Sequence, residues 1–515
     1  MSDEFVISAD FGTSSVKVAV VDAALNMVAN AAQSYPLSLP GADRAEQDPE
    51  DWWAALSRAI AALSAEVPDL KSRVGALSIC AQMAGVISVD KDGTALRPCI
   101  VCMDKRSSTI ARDLIGGFPS FEGYRLDKLV KWLRLANGAP SKNGMDPPGK
   151  MLWIKQAEPE IYDRTHKFLD VKDWLILRAT GRATMTADSA NLTWMMDTRR
   201  GREGWSENLI RQCGLDAEKL PKIVDGGEIV GTLTAKAAKQ LGLSAATKVL
   251  GGGSDVSMSA IGAGIVDDGE LMICASTSSW ISGFFDRRIV NVSSSYATLT
   301  SSTNFRPLLV ATQECAGSAA DWAARTLSDT PQTAKDGLSA FYQDTGLPEE
   351  DDPFFIPWMA GERVPVDDER LRGAFYRLSL RHDKQAIKRS VLEGIALNTA
   401  WAFSKVAREK DVKHDGPVPL VGGMGMYPVF VQNLANSLNR PIITGTPRFA
   451  GVLGAAALAA PVLGWADSVW DGARICRSRF DQTTMPNPDE VAKSATRQAH
   501  LGRVRKKLVK LYQSG

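Results

Sequence analysis

No sign of charge predominates in this chain of 515 residues, in which 60 basic side chains stand against 59 acidic ones. That balance excludes a global electrostatic pull toward nucleic acid or an acidic membrane surface. A membrane-spanning run is missing too. The longest apolar stretch, Phe449 to Trp465, is rich in Ala and Gly and contains Pro461, so it reads as a core helix packed closely on a sheet. Met1-Ser2-Asp3-Glu4 is acidic, and the apolar run behind it is short and broken by Asp10, which does not read as a cleavable signal. Cysteine is sparse. Seven thiols, an odd and scattered set, are expected to be reduced in a cytoplasm, and the lone Cys99-x-x-Cys102 pair reads as buried thiols rather than a metal site. Neither G-x-x-x-x-G-K-[ST] nor G-x-G-x-x-G occurs, which excludes a P-loop and weakens a dinucleotide-binding reading. Low-complexity segments are absent.

What is present is an ordinary globular composition, 44% hydrophobic and 23% charged, long enough for two large domains. Strand-like runs alternate with amphipathic helical windows, which points to an α/β class. Phe5 to Ala9 and Val16 to Val21 read as strands joined by Asp10-Phe11-Gly12-Thr13-Ser14-Ser15. A helix is expected from Asp51 to about Ala65, with strands near Val74 to Ile79 and Gly85 to Val89 and a turn at Asp90-Lys91-Asp92-Gly93. The second half opens similarly: Glu270 to Ala275 and Ser279 to Phe285 are strand-like and joined at Ser276-Thr277-Ser278. The likeness of the two hairpins suggests one element used twice, with a hinge near Ile261 to Asp268. The basic stretch Arg503 to Lys510 reads as a solvated amphipathic helix.

Four places could carry chemistry. The first hairpin loop offers backbone N–H groups and hydroxyls of a kind that cradles phosphate oxygens, with Asp10 at its mouth able to hold Mg²⁺ directly or through water; a plain polar turn has the same composition. Leu250-Gly251-Gly252-Gly253-Ser254-Asp255 brings a strand through three glycines to a carboxylate. Such a carboxylate can take the proton of an acceptor hydroxyl, although a helix N-cap is the commoner reason for Asp there. Val421-Gly422-Gly423-Met424-Gly425 could admit a flat base or simply make a tight turn, ahead of a helix carrying Gln432, Asn433 and Asn436. Gln82, Asp104, Lys105 and Arg106, at strand ends, supply the mixed donors and acceptors that suit a polyhydroxylated ligand.

Taken in order, these pieces resemble the FGGY family of carbohydrate kinases over nearly the whole chain. The most specific stretch is Met145-Asp146-Pro147-Pro148-Gly149-Lys150-Met151-Leu152-Trp153-Ile154. Glu158-Pro159-Glu160, Phe168 to Trp174, Gly361-Glu362-Arg363-Val364-Pro365, Arg372-Gly373-Ala374-Phe375 and Glu393-Gly394 are also similar. The resemblance implies the duplicated, actin-like (ribonuclease H-like) ATPase fold, α/β in class, with a cleft between an N-terminal domain over 1–262 and a C-terminal, nucleotide-side domain over 263–515. By position, it implies Asp255 as catalytic base, Asp10 at the Mg²⁺–phosphate site, and Thr13, Ser14, Thr277 and Ser278 in two phosphate loops. Gly422 and Gly423 would line the adenosine pocket, and Gln82, Met83, Asp104, Arg106 and Asp255 would contact the sugar. ATP and Mg²⁺ are the implied cofactors and a small sugar the partner, with no nucleic acid and no membrane. A homodimer is compatible with the resemblance, although no interface stripe stands out.

Within the family, the layout is most similar to xylulokinases and related pentulose kinases, which implies phosphorylation of D-xylulose to xylulose 5-phosphate. Two departures fall near the expected sugar: Ala84 stands where a G-Q-M-H-G pattern has histidine, and Cys102 where a W-x-D-x-R pattern has tryptophan. Arg377 stands where the second signature more often has glycine. The departures near the sugar leave another ketose or polyol, such as ribulose or erythritol, as the alternative substrate. A non-catalytic actin-fold sugar-binding protein is the alternative from another class.

Overall fold

The computed structural model describes residues 4–327 and 334–513; Met1, Ser2 and Asp3 of the acidic opening lie outside them. The chain divides into two compact α/β units. One gathers the residues up to Gly264 with Thr298–Leu308 and Gly451–Cys476; the other gathers Ile265–Ala297, Leu309–Ala450 and the chain from Arg477.

The first unit is built on the strands β1 (Phe5–Phe11), β2 (Ser15–Val21), β3 (Met27–Ser34), β4 (Val74–Ala81), β5 (Ile229–Thr232) and β6 (Lys248–Leu250), in the order β5-β6-β4-β1-β2-β3, with the short β7 (Gly253–Ser254) also on β4. β1 is antiparallel to β2 and parallel to β4, which is parallel to β6 and β7. The central strands are apolar on both faces because both are covered. The helix Pro49–Glu66 lays Trp52, Trp53, Leu56, Ile60 and Leu63 into that core, starting at Asp48, whose carboxylate accepts from the Glu50 N–H at 2.9 Å.

The second unit repeats the plan with β8 (Met272–Ala275), β9 (Ser279–Phe284), β10 (Val290–Asn291), β11 (Tyr296–Thr300), β12 (Pro307–Gln313), β13 (Val418–Val421), β14 (Ile442–Thr444) and β15 (Gln482–Thr484), in the order β10-β11-β12-β9-β8-β13-β14-β15. Again the opening hairpin is antiparallel, its first strand is parallel to the next central strand, and the far edge strand turns antiparallel. The likeness of the two hairpins noticed in the sequence is thus a likeness of whole sheets. A 23-residue helix, Lys384–Val406, is buried continuously from Ser390 to Ala400 and runs through this core.

The boundary expected at 262/263 lies beside Gly264, where the long first segment of the first unit ends, but two later segments are counted with that unit. For one of them the reason is close packing. In the helix Ala450–Val462, the Val452 carbonyl accepts from Ser8 Oγ at 2.5 Å, and a Cβ on Gly454 would stand 1.9 Å from the Met258 carbonyl oxygen. Only a helix with bare positions can lie that near a sheet.

The C-terminal helix Pro488–Gln513 corrects one reading. Arg505, inside the stretch expected to be solvated, is 1% exposed because it shares a face with Leu501 and Leu508. Its guanidinium lies 4.6 Å over the Trp401 ring, and none of its three nitrogens has a hydrogen-bond partner. Burial pushes its pKa well below the ordinary value, with Glu362 opposing. A buried charge so poorly matched contributes little to stability. Arg505→Met is therefore expected to leave the free energy of urea unfolding unchanged or raise it, by up to about 4 kcal/mol. A lowered free energy would show that the guanidinium is needed for packing.

Candidate active site

In the first unit the expected residues leave the same ends of neighbouring parallel strands. Phe11 is in register with Ala81, and Ala81 with Ser254, so the chain continues from these strand ends into the first loop, Gln82 and Asp255. The Gln82 N–H donates to the Phe11 carbonyl at 2.7 Å, which closes the array. The carboxyl ends of parallel strands are where open α/β sheets bind ligands.

Asp255 is not the N-cap of its helix. Ser254 takes that place, its hydroxyl accepting from Ser257 N–H at 3.5 Å, and Asp255 is the first residue of the helix Asp255–Gly262. Its Oδ1 accepts from Val256 N–H at 2.9 Å. Burial and the negative charge of Asp10 push its carboxyl up to about 7, with Asp170 and Asp188 adding to the rise. A base must be deprotonated to act, so turnover that depends on this carboxylate is expected to fall on the acid side of about pH 7. A pH–rate profile flat from pH 5 to 8 would contradict that.

The three glycines before Asp255 serve the fold more than a ligand. Gly252 has φ +69°, and a Cβ on it would lie 2.2 Å from the Ile79 carbonyl oxygen. The close approach at Gly252 is thus to the chain's own strand.

Asp10 faces Lys17 at 3.6 Å across the β1–β2 ladder and accepts from the Cys80 thiol at 3.3 Å. The loop it opens is tight: Gly12 N–H donates to the Ser15 carbonyl at 3.0 Å, and the Tyr35 hydroxyl donates to the Gly12 carbonyl. Ser14 is exposed and Thr13 half-buried at its tip. Gln47 donates to the Thr13 carbonyl at 2.8 Å and accepts from Gln82 Nε2 at 2.8 Å, so one side chain ties the first loop to the end of β4. Gln82 Oε1 is buried without a partner, an acceptor awaiting a donor. Met83 beside it is half-exposed.

Asp104 and Arg106 turn to each other instead of outward, against the expectation of direct substrate contact. Asp104 is fully buried, accepting from Ala45 N–H at 2.7 Å and from Arg106 Nε and Nη2. Arg106 also pairs with Glu46 at 2.7 Å and lies 4.8 Å over the Trp153 ring. Charges with this many protein partners are held in place by the protein itself. Cys99 is buried, Cys102 is partly exposed, and no disulfide joins any of the seven cysteines.

In the second unit, Cys274 and Val421 are in register, so the loops Ser276-Thr277-Ser278 and Gly422-Gly423 leave adjacent strand ends. Thr277, exposed, accepts through its carbonyl from Ala316 N–H at 3.1 Å and Ser318 N–H at 3.0 Å; Ser278 is half-buried. The two glycines differ. Gly422, with φ +91°, would put a Cβ 2.3 Å from the Ala275 carbonyl oxygen, whereas nothing lies within 4 Å of a Cβ on Gly423. The first lets two strands meet; the second faces open space. Gln432 donates to Asn436 at 2.9 Å and Asn433 is buried, so these amides brace their helix.

Sequence reasoning did not single out Lys17, Gln47, Asp188 or Ser189. Of these only Lys17 left a trace, lying in the strand that returns from the first loop; the others arrive from remote segments.

Two family models match the chain: the N-terminal domain of the FGGY family of carbohydrate kinases over residues 5–262, and its C-terminal domain over 286–462. The chain belongs to the FGGY family of carbohydrate kinases, ATP-using phosphotransferases with an alcohol group as acceptor. It is 31% identical to the xylulose kinase of Escherichia coli over 460 residues, covering 88% of this chain and 89% of that one. Among solved structures, a ligand-bound xylulose kinase from Lactobacillus acidophilus matches with a TM-score of 0.85 at 25% identity, covering 99% of both chains. A gluconate kinase from the same organism matches with a TM-score of 0.85 at 26% identity over 99% of both.

Proposed function

We propose that this kinase transfers the γ-phosphoryl group of ATP to D-xylulose, giving xylulose 5-phosphate. The observation that carries the reading is the strand register that sets Asp255, a carboxylate held up to about 7, beside Gln82 and its unpartnered acceptor. The E. coli and L. acidophilus xylulose kinases support a pentulose as the substrate.

In this reading Gln82 Oε1 accepts from a sugar hydroxyl and Met83 packs on the carbon chain. Asp104 and Arg106 hold the wall behind them. Asp255 orients the attacking hydroxyl and takes its proton at Oδ2, since Oδ1 already accepts from Val256. Thr13, Ser14 and the N–H groups of the first loop, with Lys17, offset charge on the phosphate oxygens. Thr277 and Ser278 serve the same end in the second unit, and Gly422 and Gly423 line the adenosine pocket.

Asp10 suits Mg²⁺. It is a single, partly exposed carboxylate, and Gly451 leaves its flank clear, since a Cβ there would stand 2.9 Å from Asp10 Oδ2. Mg²⁺ favours one or two carboxylates and several waters. Bound there, the ion would neutralise charge on the phosphate oxygens. The reading also takes the protein as cytoplasmic and homodimeric, the latter checked by sedimentation. Among the described residues no helix is long and apolar enough to cross a membrane.

The test is ADP formation with ATP across D-xylulose, ribulose, erythritol, glycerol and gluconate. A selective rate with D-xylulose supports the assignment and means that Ala84 is compensated elsewhere. Activity on another member keeps the kinase and removes xylulose. ATP hydrolysis independent of any sugar, as the sole activity, would favour an actin-fold protein in which ATP drives closure without phosphoryl transfer to a ligand.

A further inference from the structure

Beneath the site lies a buried polar layer that the reaction itself does not require. We propose that Asp170, Ser189 and Asp188 are positioning residues that couple the setting of the substrate turn at Gln82–Gly85 to the setting of Asp255. The inference rests on the kinase reading above.

One end of the layer holds the turn. Ala84 has φ +65°, a left-handed conformation that an alanine does not adopt unaided. It is gripped from both sides. Asp170 accepts from Ala84 N–H at 3.2 Å and Gly85 N–H at 2.9 Å, while Lys150 Nζ donates to the Ala84 carbonyl at 2.8 Å and the Val101 carbonyl at 2.9 Å. Both side chains are buried, Lys150 at 0% exposure and Asp170 at 4%.

The other end holds the base. Asp188, 1% exposed, accepts from the N–H of Ser254, the residue before Asp255, at 2.7 Å, and from the Thr186 hydroxyl. Ser189 joins the two ends: its hydroxyl donates to Asp170 Oδ2 at 2.9 Å and its N–H to Asp188 Oδ1 at 2.9 Å. Lys172 Nζ donates to the Ser189 hydroxyl at 3.1 Å and pairs with Asp173, so a cation sits among the carboxylates. The layer thus runs Gln82–Gly85, Asp170, Ser189, Asp188, Ser254, Asp255 without a break. Asp170 seats the turn, Asp188 seats the base, and Ser189 links the two seats.

A layer that only stabilised the fold would lower stability without separating the kinetic constants. The coupling predicts a split, measured on whichever sugar the wild type turns over fastest, so that a wrong substrate assignment changes the sugar used and not the outcome. Asp170→Asn is expected to raise the sugar KM by about ten- to a hundredfold with kcat nearly kept, from the loss of charge-assisted buried hydrogen bonds. Asp188→Asn is expected to lower kcat by about the same factor with the sugar KM nearly kept, and the KM for ATP should not move in either. In the double variant the loss in kcat/KM should fall well short of the product of the single losses, because a link broken at one end carries little from the other. A double loss equal to that product overturns the coupling. If a carboxylate variant fails to fold, Ser189→Ala keeps every carboxylate and reads the same link. Lower kcat with higher sugar KM supports it, and wild-type constants overturn it.

Discussion

Asp255→Ala is expected to lower sugar-dependent ADP formation by about two to four orders of magnitude, the usual scale for loss of a positioned general base. The effect should fall chiefly on kcat, because Asp255 is only one of several sugar contacts, and titration calorimetry with a non-hydrolysable nucleotide should show near-wild-type nucleotide affinity. The same carboxylate gives a second readout. Its folded-state pKa, about 7, lies above that of an unfolded aspartate, so its contribution to stability is complete at acid pH and is lost as pH rises toward 7. Asp255→Asn should therefore raise Tm at pH 8 and leave it nearly unchanged at pH 4. Wild-type turnover in the alanine variant would end the assignment of Asp255 as base. An unchanged Tm at pH 8 would end the account of its environment.

Arg497→Ala is expected to destabilise the second unit by about 3–5 kcal/mol in urea unfolding, the range for removing one partner of a buried ion pair. Arg497 reaches Glu393 through Nε and Nη2 and donates to the carbonyls of Glu350, Asp352 and Pro353 at 3.1–3.2 Å. Glu393 is 3% exposed. Burial pushes its carboxyl up and Arg497 holds it down, so without the arginine it must ionise unpaired or bind a proton. The loss should shrink from pH 8 to pH 5 as the proton becomes available. Replacing both partners by apolar residues should recover much of it. Loss below about 1 kcal/mol at pH 8 would mean that solvent reaches Glu393. The contrast with Arg505 lies in the hydrogen bonds: both arginines stand on one helix and are buried, but of the two only Arg497 donates to a carboxylate.

Much of the fold was legible in the chain. The hairpin Phe5 to Val21 shows in two apolar runs around a loop of small residues, and its echo at Cys274 to Ser279 signalled duplication before any sheet was seen. The helix over Trp52 to Leu63 shows in its apolar spacing. The return of Gly451–Cys476 to the first unit was not legible, because periodicity gives an element its type and not its neighbours. Arg505 misled for a related reason: its neighbours Arg503, Lys506 and Lys507 are exposed, and burial was decided by what lies across from one face of the helix.

The candidate site divides along the same line. The sequence by itself determined the reaction class, since ordered segments from Asp10 to Gly423 and the run Met145 to Ile154 resemble a kinase family whose models match the chain. Loops at strand ends keep their residue types because backbone approach and phosphate contact restrict them locally. Only the tertiary structure decided what each side chain faces. It turned Asp104 and Arg106 toward one another, left Gln82 Oε1 without a donor, gave the N-cap to Ser254 and so freed Asp255, and drew Asp170, Ser189 and Asp188 under the site. The last of those outcomes depends on contacts between residues 85 positions apart, Gly85 with Asp170, and 66 apart, Asp188 with Ser254, and in a single sequence no local spacing encodes them.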